Sequence, residues 1–318
     1  MTRLRLTVLT LSVVLFSLAL GIALGGGPLQ GPVRGTLQSQ VESVTDDGLD
    51  EARLLRRNRA LVQSARFDRG FAQAVSAGLL DDRLSGRTTV VLALPGVPRG
   101  VTDAVADDVD AAGGTVTTTL QVGRELVEPS ARPLVDELSK RLLADLDGTE
   151  VAADASVYTR TGAVLSRALL TEYDGGYAMD DPARSVFNTL TTARLLRGPE
   201  PQQRASTAVV LLPEAAPRET TSGGRGLILT ELVAAMDDAG DGVVVGGPPS
   251  SADRAGLLAA VRSSPVTADT VSTVDTVSVR AGQVTTVLAL AEQADGSTGH
   301  YGVAHGADAV LPEDALAE

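Results

Sequence analysis

Leu6–Leu24 is a run of 19 residues without a charge or a proline. As a helix it measures ~28 Å at 1.5 Å per residue, about one hydrocarbon core. Arg3 and Arg5 precede it, and the next basic residue is Arg34. The excess of arginine before the run keeps the short N-terminus in the cytoplasm and sends everything beyond residue 30 to the far side. The rival reading is a cleaved signal peptide, whose apolar core is usually shorter, roughly 7–15 residues. Ala23-Leu24-Gly25 is a poor small-x-small cleavage site, so the run reads as an uncleaved single-pass anchor.

The remainder divides by pattern. Gly25-Gly26-Gly27-Pro28 and Gly31-Pro32 form a linker, which closes an anchor region at residues 1–30. Residues 31–70 read as a stalk, with a helix expected over 36–66. Leu37, Val41, Val44, Leu55, Val62 and Ala65 fall on alternating steps of four and three, while Gly48, Glu51 and Asn58 occupy the seam positions between them. That is a weak coiled coil, and it leads us to expect a homo-oligomer through the stalk. The rival is a helix that packs on the following domain.

Residues 71–318 read as one α/β domain. Short β-branched runs at Thr88–Leu94, Thr115–Val122, Thr207–Leu212, Gly242–Gly247 and Val271–Val274 alternate with helix-periodic segments at Val101–Val109, Pro133–Leu146, Asp181–Ala193, Leu227–Ala239 and Ala252–Val261. Gln283–Leu290 (QVTTVLAL) is expected to be a further buried strand, like the similar runs at Val90 and Val209. This order implies a mainly parallel sheet with helices on both faces. Residues 151–180 are ambiguous and read as an insertion.

Composition removes several kinds of function. The chain of 318 residues has 43% apolar residues, enough for a sizeable core. It has no cysteine, which excludes disulfides, thiolate metal sites and cysteine nucleophiles. A net charge of −13 repels nucleic acid, and eight aromatics without a tryptophan supply neither base-stacking platforms nor membrane-barrel girdles. No GxxxxGK[ST] loop and no GxSxG elbow occurs, so no enzyme is expected. Ser222-Gly223-Gly224-Arg225-Gly226 opens a helix whose N–H groups suit an anion, though plain capping explains it better. Five Asp-Asp pairs, at 46–47, 81–82, 107–108, 180–181 and 237–238, read chiefly as solvated faces or caps, because adjacent helical residues point apart.

Both histidines fall in Gly299-His300-Tyr301-Gly302-Val303-Ala304-His305-Gly306. A glycine-rich loop can turn two imidazoles toward one ion. His300 and His305 are therefore the metal-ligand candidates, an incomplete copper or zinc set to which Asp295 or Asp308 would add oxygen. The competing reading is structural, with both rings bonded to backbone. No resident cofactor is expected.

Particular stretches carry a resemblance. The anchor ending in ALGGG, Arg66–Val97 (RFDRGFAQAVSAGLLDDRLSGRTTVVLALPGV), Ala111–Pro129 (AAGGTVTTTLQVGRELVEP) and Ala281–Asp308 (AGQVTTVLALAEQADGSTGHYGVAHGAD) together resemble the actinobacterial MctB-like copper transport outer-membrane protein family. The resemblance runs nearly end to end and is most specific in the VTTVLAL…GHYGVAHG block. It implies an envelope protein of copper efflux or homeostasis, in the outer membrane and channel-forming, with copper as the transported ion. The residues themselves support the anchored external domain but not a copper-selective pore. Met1, Met179 and Met236 are scattered, and the anchor's polar side chains are Thr7, Thr10, Ser12 and Ser17. The alternative function is a non-conducting envelope scaffold that recruits a cell-wall-remodelling or division partner through its coiled coil and α/β domain.

Overall fold

The computed structural model describes residues 30–146, 151–214 and 222–316. The Leu6–Leu24 run lies outside them, and so does the Gly25–Pro28 linker. Among the described residues no helix is long and apolar enough to cross a membrane. Contacts divide the chain into two units, Met1–Phe67 and Asp68–Glu318.

Helix α1 spans Gln30–Leu80, longer at both ends than the heptad pattern indicated. Pro32 sits in its first turn, where an N–H has no intrahelical partner to lose. Every described side chain of the first unit, from Arg53 to Phe67, is exposed.

The second unit holds strands β1 Thr88–Ala93, β2 Thr115–Val122, β3 Tyr177–Ala178, β4 Leu196–Arg197, β5 Gln203–Arg204, β6 Thr207–Leu211, β7 Val243–Gly246, β8 Ser272–Val274 and β9 His300–Tyr301. Between them lie α2 Arg99–Ala111, α3 Arg124–Val127, α4 Arg132–Ala144, α5 Val157–Leu169, α6 Asp181–Thr192, α7 Ser222–Asp237, α8 Leu257–Ser263 and α9 Arg280–Ala294. Seven strands form one sheet in the order β4-β2-β1-β6-β7-β8-β9, and β3 pairs with β5 in a separate ribbon. All neighbours in the large sheet are parallel except β2 and β4. The class expected from the sequence, α/β with a mainly parallel sheet and helices on both faces, is the class observed.

The period of two sorts the strand side chains into two layers. Val90, Leu92, Leu120, Val210, Val243 and Val245 face one way, beneath α4 to α8. Val91, Val209, Leu211, Val244 and Val274 face the other, beneath α2, α9 and Leu80 at the end of α1. Burial on both faces explains why the central strands read as unbroken apolar runs. The chain leaves β1 toward β2 by way of α2, and β8 toward β9 by way of α9. These moves are in opposite directions across the sheet over the same face, so the two crossovers have opposite hands. The β6–α7–β7 and β7–α8–β8 units share the hand of β1–α2–β2, because they reverse both direction and face. The last crossover is therefore the odd one in a sheet type where one hand dominates.

Three expectations need correction. Gln283–Leu290 is not a strand but the middle of α9, whose residues from Gly282 to Ala291 are all buried. A helix buried all round has no polar stripe, so its apolar run looks like a buried strand. Thr285 and Thr286 fit the helix by donating their hydroxyls to the carbonyls of Ala281 (3.0 Å) and Gly282 (2.8 Å). The helix read over Ala252–Val261 is a 3₁₀ turn at Pro249–Ala252 followed by α8. Residues 151–180 are no peripheral insertion: α5 places Val164, Leu165, Ala168 and Leu169 in the core and is capped by Ser156, which accepts from the Tyr158 and Thr159 N–H groups.

Candidate functional site

The histidine segment is built on the β8–β9 edge of the sheet. Arg262, near the end of α8, is its centre and is almost wholly buried. Its Nη1 contacts Asp275 Oδ2 at 3.1 Å and the His305 carbonyl at 3.1 Å, Nη2 donates to the Tyr301 carbonyl at 3.0 Å, and Nε donates to Thr273 Oγ1 at 2.8 Å. Asp275 is fully buried and accepts from the N–H groups of Val303 (2.8 Å) and Ala304 (3.1 Å). One ion pair thereby fastens the backbone between the two histidines. Gly302, at φ +132°, passes so close to Asp275 that a Cβ there would stand 2.1 Å from its Oδ1.

His300 is half-buried, and its Nδ1 lies 3.0 Å from Thr273 Oγ1. That hydroxyl accepts from Arg262, so its own hydrogen is free to go to Nδ1. The ring N–H then resides on Nε2. Burial, followed by the Arg262 charge, holds the His300 pKa below its usual value, so the ring is neutral at pH 7. Its Nδ1 is engaged in a structural hydrogen bond. His305 is exposed, and its carbonyl rather than its ring is what the fold uses. Asp308 accepts from the His300 backbone N–H at 3.1 Å, and Asp295 pairs with Arg87 at 3.3 Å. Among the described residues no group of three His, Cys, Asp or Glu side chains is placed to hold a metal ion.

One member of each of three acidic pairs has a structural role. Asp108 is buried against Arg280, Asp180 caps α6 by accepting from the Ala183 N–H at 2.8 Å, and Asp237 accepts from the Val243 N–H at 3.1 Å. Asp46-Asp47 has no described side chains. In the Ser222–Gly226 segment, Arg225 reaches Glu128 at 2.6 Å.

A doubly wound sheet offers ligands a crevice at the carboxyl ends of the strands where the order reverses, here β1 and β6. Prolines occupy that place. Gly96, at φ +100°, lets the β1 loop approach Pro213 so closely that a Cβ would lie 3.1 Å from it. A recess of about 660 Å³ opens instead between α5 and the end of α7. Arg167 and Arg204 line it and share Asp180, at 2.7 and 3.9 Å, and the Arg204 guanidinium lies 5.1 Å over Tyr177. Neither histidine lines it.

Relatives supply what this geometry does not. The model of a family described as "Copper transport outer membrane protein, MctB" matches residues 1–312. The chain belongs to the MctB family. "Copper transporter MctB" of Mycobacterium tuberculosis (strain ATCC 25618 / H37Rv) is 27% identical over 321 residues, covering 98% of this chain and 99% of that protein. The protein of the same name from Mycobacterium leprae (strain TN) is 26% identical over 247 residues, covering 73% of this chain and 75% of that protein. Membership of the MctB family confirms the resemblance read from the ALGGG, VTTVLAL and GHYGVAHG stretches. The Arg262–Asp275 pair was not foreseen, since residues 13 apart on different elements leave no periodic signal.

Proposed function

We propose that this MctB-family chain serves copper transport at the cell envelope as a tethered, non-enzymatic protein whose α/β body does not enclose the ion's path. The Leu6–Leu24 run would hold it in a membrane, with copper as cargo rather than a resident cofactor. The family match over residues 1–312 is the observation that carries the copper reading. The sheet supports the rest. A spanning barrel needs closed strands that alternate between lipid and lumen, whereas these central strands are buried by helices on both faces and end at β4 and β9.

The test is genetic. A host strain lacking the gene should accumulate copper and lose copper tolerance, and the full chain should restore both. His300→Ala combined with His305→Ala should restore them equally well, because one ring is engaged in the fold and the other stands alone. Unchanged cellular copper in the deleted strain overturns the proposal.

A second reading is the non-conducting scaffold, favoured by the exposed apolar and basic surface of α1. It expects a protein partner that copurifies only when residues 36–318 are present. Single-channel conductance from the full-length protein would count against it.

A further inference from the structure

The recess between α5 and the end of α7 is lined by a cation that the fold leaves short of acceptors. Arg204, at the end of β5, has only 14% of its side chain exposed. Its Nε is buried and finds no acceptor among the described residues. Its Nη2 stands 3.9 Å from Asp180 Oδ2, beyond hydrogen-bond reach. Asp180 is already engaged on both oxygens: Oδ1 accepts from the Ala183 N–H at 2.8 Å, and Oδ2 accepts from Arg167 Nη2 at 2.7 Å. Arg167 Nη1 is itself buried without an acceptor among the described residues. Two guanidinium groups thus share one carboxylate, which leaves a surplus of one positive charge. Burial, followed by the Arg167 charge, holds the Arg204 pKa below its usual value, with Asp180 and Tyr177 acting against them. Buried donors without acceptors cost free energy until an acceptor arrives.

We propose that this recess binds a small organic monoanion, a carboxylate on a compact apolar body, with the carboxylate taken by Arg204 beside Arg167. The inference goes beyond the copper reading and does not rest on it. The space suits such a ligand: about 660 Å³ falls within the range of small-molecule sites, roughly 300–1,000 Å³. Ala152, Ala155, Ala163, Leu170, Ala235 and Ala239 supply the apolar wall, and their short side chains leave the room. A planar carboxylate matches the guanidinium fork and can take two of its donors at once. The charge sets the valence. One anion cancels the surplus of one, whereas a dianion overshoots it and meets Glu172 and Asp238, which line the same recess. Tyr177, with its ring 5.1 Å from the Arg204 guanidinium and stacked on Tyr173, holds the arginine in place from the side.

The probe is N-acetyl-dialanine, a water-soluble monoanion with a small apolar body, titrated into the full-length protein in detergent and followed by ligand-observed NMR. It should bind with a Kd of about 1 mM or below, within reach of a ligand of this size. Its C-terminal amide and inorganic phosphate should each bind at least about ten-fold more weakly, the cost of losing a charge-assisted pair or of adding a second charge. Arg204→Gln should weaken the acid by a similar factor. Ala163→Phe keeps both arginines and fills the space, and it should abolish binding even if Arg204→Gln fails to fold. No binding of the acid overturns the proposal and leaves Arg204 held by the Tyr177 ring alone. Amide and acid binding alike overturns the role of the charge. Phosphate binding more tightly than the acid overturns the ligand class in favour of a phosphate site. Binding of the acid that survives Ala163→Phe places it elsewhere and overturns the site.

Discussion

Asp275 has no exposed surface, and it answers one guanidinium and two backbone N–H groups at once. Removing its carboxylate leaves Arg262 charged and buried without a partner, a situation that costs about 3–5 kcal/mol. Asp275→Ala should lose that much in urea unfolding, with the loss felt first in the segment that carries His300 and His305. Gly302→Ala strikes the same carboxylate from the backbone side, and a Cβ at φ +132° adds conformational strain of about 1–3 kcal/mol. Asp237 behaves differently. Burial, ahead of the neighbouring Asp238 charge, raises its pKa to about 6. The folded protein therefore holds a proton between pH ~4 and ~6 that the unfolded chain has released. This group contributes stability that is present at pH 4 and lost as the pH climbs through 6, beyond which the native state buries a charge. Asp237→Asn removes that charge and keeps an acceptor for the Val243 N–H. Its melting temperature should exceed that of the parent at pH 7.5, and the gap should close by pH 4.5; a gap independent of pH would refute the assignment.

The strands were the most legible elements. Thr88–Ala93, Thr115–Val122 and Thr207–Leu211 are β-branched runs ended by Pro or Gly, and each fell within a residue of its reading. α2 and α6 were equally clear because each keeps a wet side, which leaves apolar residues at every third or fourth place. α9 was illegible for the converse reason: water touches almost none of it, so periodicity is erased and length and flanks are weak arbiters. Leu290→Ala in α9 should cost about 2–5 kcal/mol in chemical denaturation, as expected for a fully buried leucine whose cavity the packed face cannot refill. The histidine loop was legible in composition but not in role. Its glycines suggested a tight turn, yet only the fold shows that Arg262 and Asp275 hold the turn and that His300 is used to brace Thr273.

Across the whole molecule, the odd hand of the β8–α9–β9 crossover has a consequence for biogenesis. The layer that α9 covers includes Val209 and Val244, in strands laid down well before it. A polypeptide delivered from its N-terminus meets the solvent with that greasy surface bare until Ala294 has emerged. The earlier helix over this face, α2, packs against β1 and β2, and α7 and α8 lie over the opposite face. Export and maturation of such a chain must be quick at the end, or chaperoned, and a stop codon anywhere before Arg280 should yield a sticky, protease-sensitive fragment rather than a smaller working domain.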